Sequence, residues 1–473
     1  MSSATGRDYA YQTVYAYLAT LIGEATGECA IRLPSLRDLA SRLGVSLSTV
    51  QHAYQLLESE GRIISVPKSG YYAVVSPSGP TPAAVLATPL IEPDLLQSLY
   101  HHAGAPGMCT LHRSDPWPGD VFGTALTARE REIQRQHRSP SSHPLGEPAL
   151  RRELAARYTQ ATHHRWCAND VYVAVDLRAM LDITLDALDI RGRTVMIVSP
   201  ASPVWLMALK AAGLDICELP LDAHGTLDLD QAAQYLRERS VALMILSATL
   251  NGPQGTLMPD TVRQGLAKLL DHHGTLVLED DDHGELCFSS EPPMRDWVPA
   301  ERLLVCGSFA RTIGAEARYG YLLVPPQARS PLTLSVRQRL LQRDFHLPPV
   351  RQKAVARLYQ RGAINGHLRS LRNGLKLNIG RLVQQLDDGL GDLLSVPMPS
   401  GGSGVWVSSR HAIDVLKVYD HLLRRRILIA PGPVFSSQGQ HAQSLRIACP
   451  VNGQGLPGRV IAELRKALKS GRS

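Results

Sequence analysis

The chain has 473 residues, more than a single hydrophobic core usually holds, so we expect two or three domains. Hydrophobic residues make up 44% and charged residues 20%, an ordinary globular composition that excludes disorder of the whole chain. The net charge of +7 is compatible with a polyanionic partner, although many enzymes are equally basic.

Targeting and membrane patterns are not found in the sequence. We find no basic stretch followed by an apolar core at the N-terminus and no uncharged apolar run of about 18 to 20 residues, which predicts a cytoplasmic protein. The seven cysteines are scattered and form no Cys-x-x-Cys pair, a pattern typical of reduced core thiols.

The N-terminal residues show the period of a helix and the turn of a helix pair. Apolar residues recur at three- and four-residue spacing from Tyr9 to about Ala25, which predicts a first helix. Ser35 predicts the N-cap of a second helix, which ends at Gly44. Ser46 can cap a third helix directly after this turn. Two short helices joined through glycine are typical of a helix-turn-helix motif.

The third helix and the residues after it predict DNA contacts. In this motif the second helix of the pair places hydroxyls, amides and imidazoles near base edges and phosphates. Residues 62–75 alternate in polarity around Lys68-Ser69-Gly70, which indicates a hairpin wing. A small helical bundle that never binds DNA is the alternative. Residues 1–75 contain six Lys and Arg against six Asp and Glu, so an interface depends on the arrangement of charge.

The stretches at residues 33–40, 44–54, 57–61 and 68–71 closely resemble the GntR-type winged helix. With the polar outer face of the third helix, the resemblance predicts a DNA-binding domain over residues 1–75. The residues expected to face double-stranded DNA are Ser35, Arg37, Ser46, Ser48, Thr49, Gln51, His52, Lys68, Ser69 and Gly70.

Residues 76–93 contain five prolines among small residues and predict a semi-extended linker. Beyond it, helical stretches alternate with short Val/Ile/Leu-rich runs, which predicts an α/β fold with a mostly parallel sheet covered on both faces. We find no glycine-rich dinucleotide or nucleotide phosphate loop. The apolar runs are Thr194 to Val198, Val241 to Leu246, Thr275 to Leu278 and Leu303 to Val305.

Six further motifs resemble fold-type I aminotransferases in order and spacing. With the winged helix and linker, the chain resembles the MocR-type branch of GntR regulators over nearly its whole length. The resemblance implies a homodimer and an aminotransferase-like domain over residues 94–473, with a large part at about 140–345 and a small α+β part at about 346–473. The motifs lie at residues 143–151, 251–255, 279–281, 307–309, 318–321 and 444–447.

The nucleophile of aminotransferases is replaced in this chain. An aminotransferase needs a neutral lysine amine to form an imine with pyridoxal phosphate. The resemblance places Arg311 at that lysine position. A guanidinium stays protonated and cannot supply the nucleophile, so the protein is expected not to be an enzyme and to have no catalytic residues. We therefore expect no cofactor, and bound pyridoxal phosphate is the alternative.

The resemblance implies four further losses and four retained residues. Gly252 occupies the position of the asparagine that bonds the cofactor's ring hydroxyl. His283 occupies the position of a tyrosine, and Ser202 occupies that of the aromatic residue that stacks on the cofactor ring. Asp176 stands for a glycine of the phosphate turn and would repel a phosphate. The four retained residues match family contacts to the cofactor and substrate. Asp280 matches the contact to the pyridine nitrogen, Ser308 and Arg318 match phosphate contacts, and Arg446 matches the contact to the substrate carboxylate. They are either relics of the fold or a working ligand site.

Three functions remain open. The first is a DNA-binding regulator whose second domain dimerises and senses a small anionic or amino-acid-like effector without transamination. The second is a regulator that still binds and uses pyridoxal phosphate. The third is a scaffold that only holds two winged helices together.

Other charged clusters have simpler interpretations. The run Glu279 to His283 could bind a hard metal, but alternation along a strand sends neighbouring side chains to opposite faces, so we predict no metal site. Arg424-Arg425-Arg426 is typical of the solvated last turn of a helix, and a second DNA patch is the alternative. His163-His164 is expected at the surface.

Overall fold

The computed structural model describes residues 10–23, 33–66, 70–73, 95–112, 120–136, 142–161, 164–325, 331–343, 347–450 and 455–472. Lys68, Ser69, His163 and the predicted linker at residues 76–93 lie outside the described residues. The chain divides into two compact units, residues 1–89 and residues 90–473. No described helix is both long enough and apolar enough to span a membrane.

The first unit contains three helices and a two-stranded antiparallel sheet, as predicted. These elements pack around one hydrophobic core, in which Leu18, Val50 and Tyr54 are fully buried. The main chain of Leu33 also donates to the Tyr71 carbonyl at 2.9 Å and ties the sheet to the start of the second helix. The elements are α1 (Ala10–Gly23), α2 (Leu36–Leu43), α3 (Leu47–Ser59), β1 (Ile63–Val66) and β2 (Gly70–Ala73).

Side-chain caps fix the ends of α2 and α3. Ser35 Oγ accepts from the Asp38 main-chain N–H at 3.2 Å, and Ser46 Oγ accepts from that of Thr49 at 3.1 Å. Gly44 ends α2 with φ +63°, a left-handed conformation that glycine adopts without steric penalty. The predicted helix boundaries at these three residues are therefore confirmed.

The second unit contains the remaining helices and strands. The helices are α4 (Leu95–Ala103), α5 (Asp120–Gln136), α6 (Pro148–Ala161), α7 (Leu177–Leu188), α8 (Pro203–Ala211), α9 (Leu229–Glu238), α10 (Asp260–His272), α11 (Pro331–Arg343), α12 (Pro349–Gln360), α13 (Ala363–Leu390), α14 (Val415–Arg424) and α15 (Gly458–Ser470). The strands are β3 (Cys109–Leu111), β4 (Val171–Ala174), β5 (Thr194–Ser199), β6 (Asp215–Pro220), β7 (Val241–Ser247), β8 (Leu250–Asn251), β9 (Thr256–Leu257), β10 (Leu276–Asp280), β11 (Leu303–Ser308), β12 (Gly320–Leu323), β13 (Leu394–Ser395), β14 (Gly404–Ser409), β15 (Ile427–Pro431) and β16 (Ser444–Ala448).

A seven-stranded sheet forms the larger layer, in the order β4-β12-β11-β10-β7-β5-β6. All its neighbours pair in parallel except β12, which is antiparallel to β11 and β4. Consecutive residues of β5 belong to different apolar clusters on the two faces, Met196 to one and Ile197 to the other. Burial on both faces explains why these strands are continuous apolar runs, and it confirms the predicted sheet.

A five-stranded sheet, β13-β14-β16-β15-β3, forms the smaller layer. The second apolar core begins inside α13, because Leu375 packs in the first core and Ile379 in the second. The sequence placed the start of the small part at about residue 346, but α12 and the first half of α13 pack against the larger layer. The sequence also left β3 unassigned, and this strand completes the smaller sheet beside β15.

A buried ionic cluster lies behind β10. The Arg295 guanidinium bonds to the Glu279 carboxylate and lies 3.3 Å from Asp281 Oδ2, which also accepts from the Tyr158 hydroxyl at 2.6 Å. All four side chains are nearly or fully buried. Glu279 and Asp281 are therefore neutralised inside the fold.

We predict that Arg295→Ala destabilises the second unit by about 3 to 5 kcal/mol, because it leaves two buried carboxylates without their cation. All five tryptophans lie at or beyond residue 117, so tryptophan fluorescence during urea unfolding reports on this unit. Lys268→Ala, at an exposed position of α10, is the control. Equal urea midpoints for the two variants would contradict the prediction.

Candidate functional site

A cavity of about 460 Å³ lies at the carboxyl ends of the parallel strands, where open α/β sheets bind ligands. The structure brings eight of the nine predicted pocket residues to its wall: Asp176, Ser202, Gly252, His283, Ser308, Arg311, Arg318 and Arg446. The ninth, Asp280, lines a small adjoining cavity that Ser202 and Gly252 also border.

Arg311 forms an ion pair with Asp282 inside this cavity. Arg311 Nε donates to Asp282 Oδ2 at 2.8 Å, and the Ser308 hydroxyl donates to Oδ1 of the same carboxylate. Asp282 is buried, whereas a quarter of the Arg311 side chain is exposed. Burial is the largest influence and raises the pKa of Asp282, but the opposing effects of Arg311, His283 and the Ser308 hydrogen bond together lower it. Asp282 is therefore ionised at neutral pH.

Sequence reasoning missed Asp282 as a pocket residue. It lies two residues after Asp280, and both carboxylates point away from the Arg295 cluster, whereas Glu279 and Asp281 point toward it. Alternation in the Glu279 to His283 run could therefore have placed Asp282 beside Asp280. The same alternation sends the carboxylates of the acidic run to two opposite sides of the strand. The described residues contain no group of three or more His, Cys, Asp or Glu that could hold a metal ion.

Arg446 is a buried cation that faces the cavity. Its guanidinium donates to the His112 carbonyl at 3.2 Å and to Ser403 Oγ at 3.4 Å. Among the described residues, no carboxylate lies within 4.0 Å of it. Burial, with repulsion from Arg311, lowers the pKa of Arg446 to about 10, so it remains charged at neutral pH. It is thus the cation best placed to take an anion from solution.

Asp176 fills the anion position at the start of α7. Its Oδ1 accepts from the main-chain N–H of Ala179 at 2.9 Å, as an N-cap does. Arg318 Nη2 lies 3.9 Å from the other carboxylate oxygen, and the Arg318 side chain is 60% exposed. This exposed pair contributes little to stability. The first turn of α7 is therefore occupied by the chain's own carboxylate.

His283 and Gly252 depend on each other sterically. A Cβ atom at Gly252 would lie 2.9 Å from Nδ1 of the His283 ring, closer than real side chains approach. Burial, followed by repulsion from Arg311, lowers the pKa of His283 to about 3, so the ring is neutral. Glycine at 252 makes room for histidine at 283.

The rest of the cavity wall is largely apolar. It comes from α4, the first half of α13 and the turn after β15, which lie outside the motifs that carry the family resemblance. Its members include Leu96, Leu99, Tyr100, Leu371, Leu375, Val434 and Phe435. The cavity thus combines guanidinium groups with an apolar surface.

Two minor expectations are corrected. His164 is partly buried, because its Nε2 bonds to the carbonyls of Arg295 and Val298 at 2.9 and 3.1 Å. Cys167 is an exposed free thiol instead of a core residue.

In the first unit, three of the predicted DNA-facing side chains lie together at the start of α3. Ser46 Oγ lies 2.8 Å from Ser48 Oγ and 2.6 Å from Thr49 Oγ1, so the capping hydroxyls form one cluster. Arg37 and Gln51 are exposed.

Two of the predicted DNA-facing residues also have structural contacts. Ser35 caps α2, and the exposed His52 ring packs edge-on against Tyr11 at 4.9 Å between ring centroids. Gly70 is exposed at the start of β2.

The fold and the cavity define a class of protein: a winged helix joined in one chain to a fold-type I aminotransferase domain. Residues 119–454 match the family model of aminotransferase class I and II, and residues 10–72 match that of bacterial regulatory proteins, gntR family. The chain belongs to the aminotransferase class I and II family. Its two domains together are those of a MocR-type transcriptional regulator.

Individual comparisons agree with this architecture. The chain is 27% identical over 455 residues to the HTH-type transcriptional regulator YjiR of Escherichia coli, covering 92% of this chain and 95% of that one. It is 27% identical over 361 residues to the probable rhizopine catabolism regulatory protein MocR of Rhizobium meliloti, covering 72% and 70%. The multiple substrate aminotransferase of Thermococcus profundus shares the fold, with a TM-score of 0.71 at 17% identity over 80% of this chain and 96% of that one.

We predict that Asp280 makes stability depend on pH. Burial and the Asp282 carboxylate raise the pKa of Asp280 to about 7, so the folded chain keeps a proton that the unfolded chain loses near pH 4. This contribution to stability is complete below about pH 4 and is lost as the pH rises through 7. Relative to wild type, Asp280→Asn should therefore gain stability between pH 5 and about pH 8.

Urea midpoints from tryptophan fluorescence measure this difference at each pH. The same change at the exposed Asp189 is the matched control. A difference between wild type and Asp280→Asn that stays constant over the pH range would show that Asp280 does not titrate there.

Proposed function

We propose that this transcriptional regulator binds DNA through its winged helix, dimerises through its second unit and senses a small anionic effector there without catalysing transamination. The observation that carries the proposal is the ion pair between Arg311 and buried Asp282 at the position expected for the catalytic lysine. A protonated guanidinium held by a carboxylate can attract an anion but cannot form an imine.

The contacts of the described residues do not fit pyridoxal phosphate. Covalent attachment needs a lysine, and the sequence contains none between Lys268 and Lys353. A phosphate at the start of α7 would have to displace the Asp176 carboxylate from its main-chain partner. Both Asp176 and Asp282 would also repel the phosphate dianion.

The charge of the cavity supports an anionic effector. Its wall holds the guanidinium groups of Arg178, Arg311, Arg318 and Arg446 but fewer carboxylates. Arg446 is nearly fully buried and has no described carboxylate partner, so an incoming carboxylate would form charge-assisted hydrogen bonds in a desolvated site. The apolar wall favours an effector that also has an apolar part, such as an amino-acid-like carboxylate.

A regulator that retains the cofactor is the second candidate. Asp280 supports this candidate, because it occupies the position of the family's carboxylate that pairs with the pyridine nitrogen of the cofactor. This candidate requires that the cofactor bind without a lysine beside it.

We predict that Arg37→Ala weakens binding to all duplexes and reduces the slope of log affinity against log salt by about 0.9, as expected for one lost phosphate contact. Gln51→Ala should instead lower base preference by about 1 to 3 kcal/mol. Gel shifts would use a duplex selected from a random library by the wild type. Gln55→Ala, one turn further along α3, is the control. Unchanged affinity in both test variants would remove the winged-helix interface from the proposal.

We predict that added pyridoxal phosphate gives no imine absorption band and no stoichiometric adduct after borohydride reduction, because Arg311 replaces the nucleophile. Peptide mapping separates scattered modification of surface lysines from reaction at one site. A stoichiometric adduct within residues 90–473, with a band that disappears on adding amino acids, would instead support the second candidate.

We predict a two-fold dimer in solution. One winged helix reads only a few base pairs, and two linked copies gain effective concentration at paired half-sites. Sedimentation of the full chain at micromolar concentration measures the state. A monomer with full affinity for the selected duplex would exclude this arrangement.

A further inference from the structure

The excess positive charge of the chain is concentrated near its end. Residues 410–473 contain eleven Lys and Arg against three Asp and Glu, a net charge of +8. The preceding 409 residues contain 39 Lys and Arg against 40 Asp and Glu. The winged-helix residues 1–75 are neutral by the same count. The charge that would attract a polyanion therefore lies in the second unit.

The helices α14 and α15 pack beside each other in opposite directions, and the main-chain N–H of Asp414 donates to the Gly471 carbonyl at 2.7 Å. Their solvent side forms what we term the α14–α15 surface. It consists of the exposed Lys417, Arg425, Arg459, Lys466 and Lys469 and the half-buried His421.

Two carboxylates lie among these cations but leave the surface positive. Asp414 Oδ2 lies 3.5 Å from Lys417 Nζ, and the Lys417 side chain is still 71% exposed. Glu463 accepts from Lys466 Nζ at 2.8 Å, and His421 Nε2 and Arg425 Nε lie at 3.3 and 3.6 Å from it. The side chains of Arg425 and Lys466 are still 62% and 63% exposed.

The margins of the surface are already paired. Asp420 bonds to Arg424, and Asp392 bonds to Arg465. Among the described residues, Arg459 and Lys469 have no carboxylate within 4.0 Å. The surface therefore retains several cationic groups that are free to meet another anion.

The spacing of these groups suits a phosphate backbone. Arg459, Lys466 and Lys469 are seven and three residues apart, which places them along one side of α15 over about 15 Å. A DNA strand presents a phosphate about every 3.4 Å along the helix axis, so this length faces several phosphates.

A membrane surface is a poorer match for these helices. Interfacial helices insert large apolar or aromatic side chains beside their cations. Of the exposed large hydrophobic residues among those described, only Leu416 lies on α14 or α15.

We propose that the α14–α15 surface is a second DNA-binding surface, which contacts the phosphate backbone of duplex DNA without reading its sequence. This inference rests on the proposed DNA-binding function. It adds the residues that supply the electrostatic part of the affinity for DNA. In this arrangement the neutral winged helix selects sequence, and the second unit supplies affinity that falls with salt.

The test compares three forms of the full chain on a fluorescent random-sequence duplex of about 60 bp in about 0.1 M salt. The test variant is Arg425→Glu with Lys466→Glu and Lys469→Glu. The matched control changes three exposed cations elsewhere in the second unit, Arg152→Glu, Lys210→Glu and Lys268→Glu, and so alters net charge equally. The glutamine version of the test variant provides a milder change if charge reversal impairs folding.

The test variant should bind at least about tenfold more weakly than wild type, with a salt slope smaller by about 2 to 3, whereas the control should stay within about threefold. The glutamine version should shift in the same direction. Equal losses in test and control variants, or no loss in the test variants, would overturn the inference. So would unchanged DNA binding together with loss of binding to phosphatidylglycerol vesicles, which would identify a lipid surface.

This outcome is separable from that of the proposed function. If the wild type binds its selected duplex and responds to Arg37→Ala, the winged-helix proposal stands even when the α14–α15 surface proves inert. If the wild type binds no duplex at all, the proposed function itself fails.

Discussion

The organisation of the cavity depends on the need of a buried carboxylate for a cation. Asp282 is almost fully buried, and Arg311 supplies the charge that keeps it ionised. Removing one partner from such a pair leaves an uncompensated buried charge, which is strongly unfavourable. Ser308 satisfies the other carboxylate oxygen. The three residues therefore form one unit, which holds a guanidinium at the wall of the cavity.

Two other positions are also matched to their surroundings. Histidine at 283 fills the space that a side chain at Gly252 would need, and Asp176 caps α7 where Arg318 approaches it. A side chain at position 252 would therefore clash with His283, and glycine at position 176 would leave the Ala179 main-chain N–H without its cap. The cavity is better understood as a repacked site with its own internal contacts than as an enzyme site that lacks one residue.

The sequence predicted most where local chemistry determines structure. The caps at Ser35 and Ser46 and the turn at Gly44 are local, and the strands were recognisable because both of their faces are buried. The cavity's motif residues also converged as the resemblance implied. The apolar wall from α4 and α13 was not predictable, because long-range topology brings it there. The partner of Arg311 was not predicted because Asp282 lies just beyond the motif at residues 279–281 that carries the family resemblance.

The helix α4 lies between the winged helix and the rest of the second unit along the chain, and it also lines the cavity. This helix begins at Leu95, two residues after the predicted linker, and it contributes Leu96, Leu99 and Tyr100 to the cavity wall. An effector can change regulation only if it binds two states of the protein unequally. A ligand whose apolar part packs on α4 and whose anion binds Arg446 would favour one placement of this helix. Because α4 is the first described helix after the predicted linker, under the proposed function this preference would bear on the attachment of the DNA-binding domain.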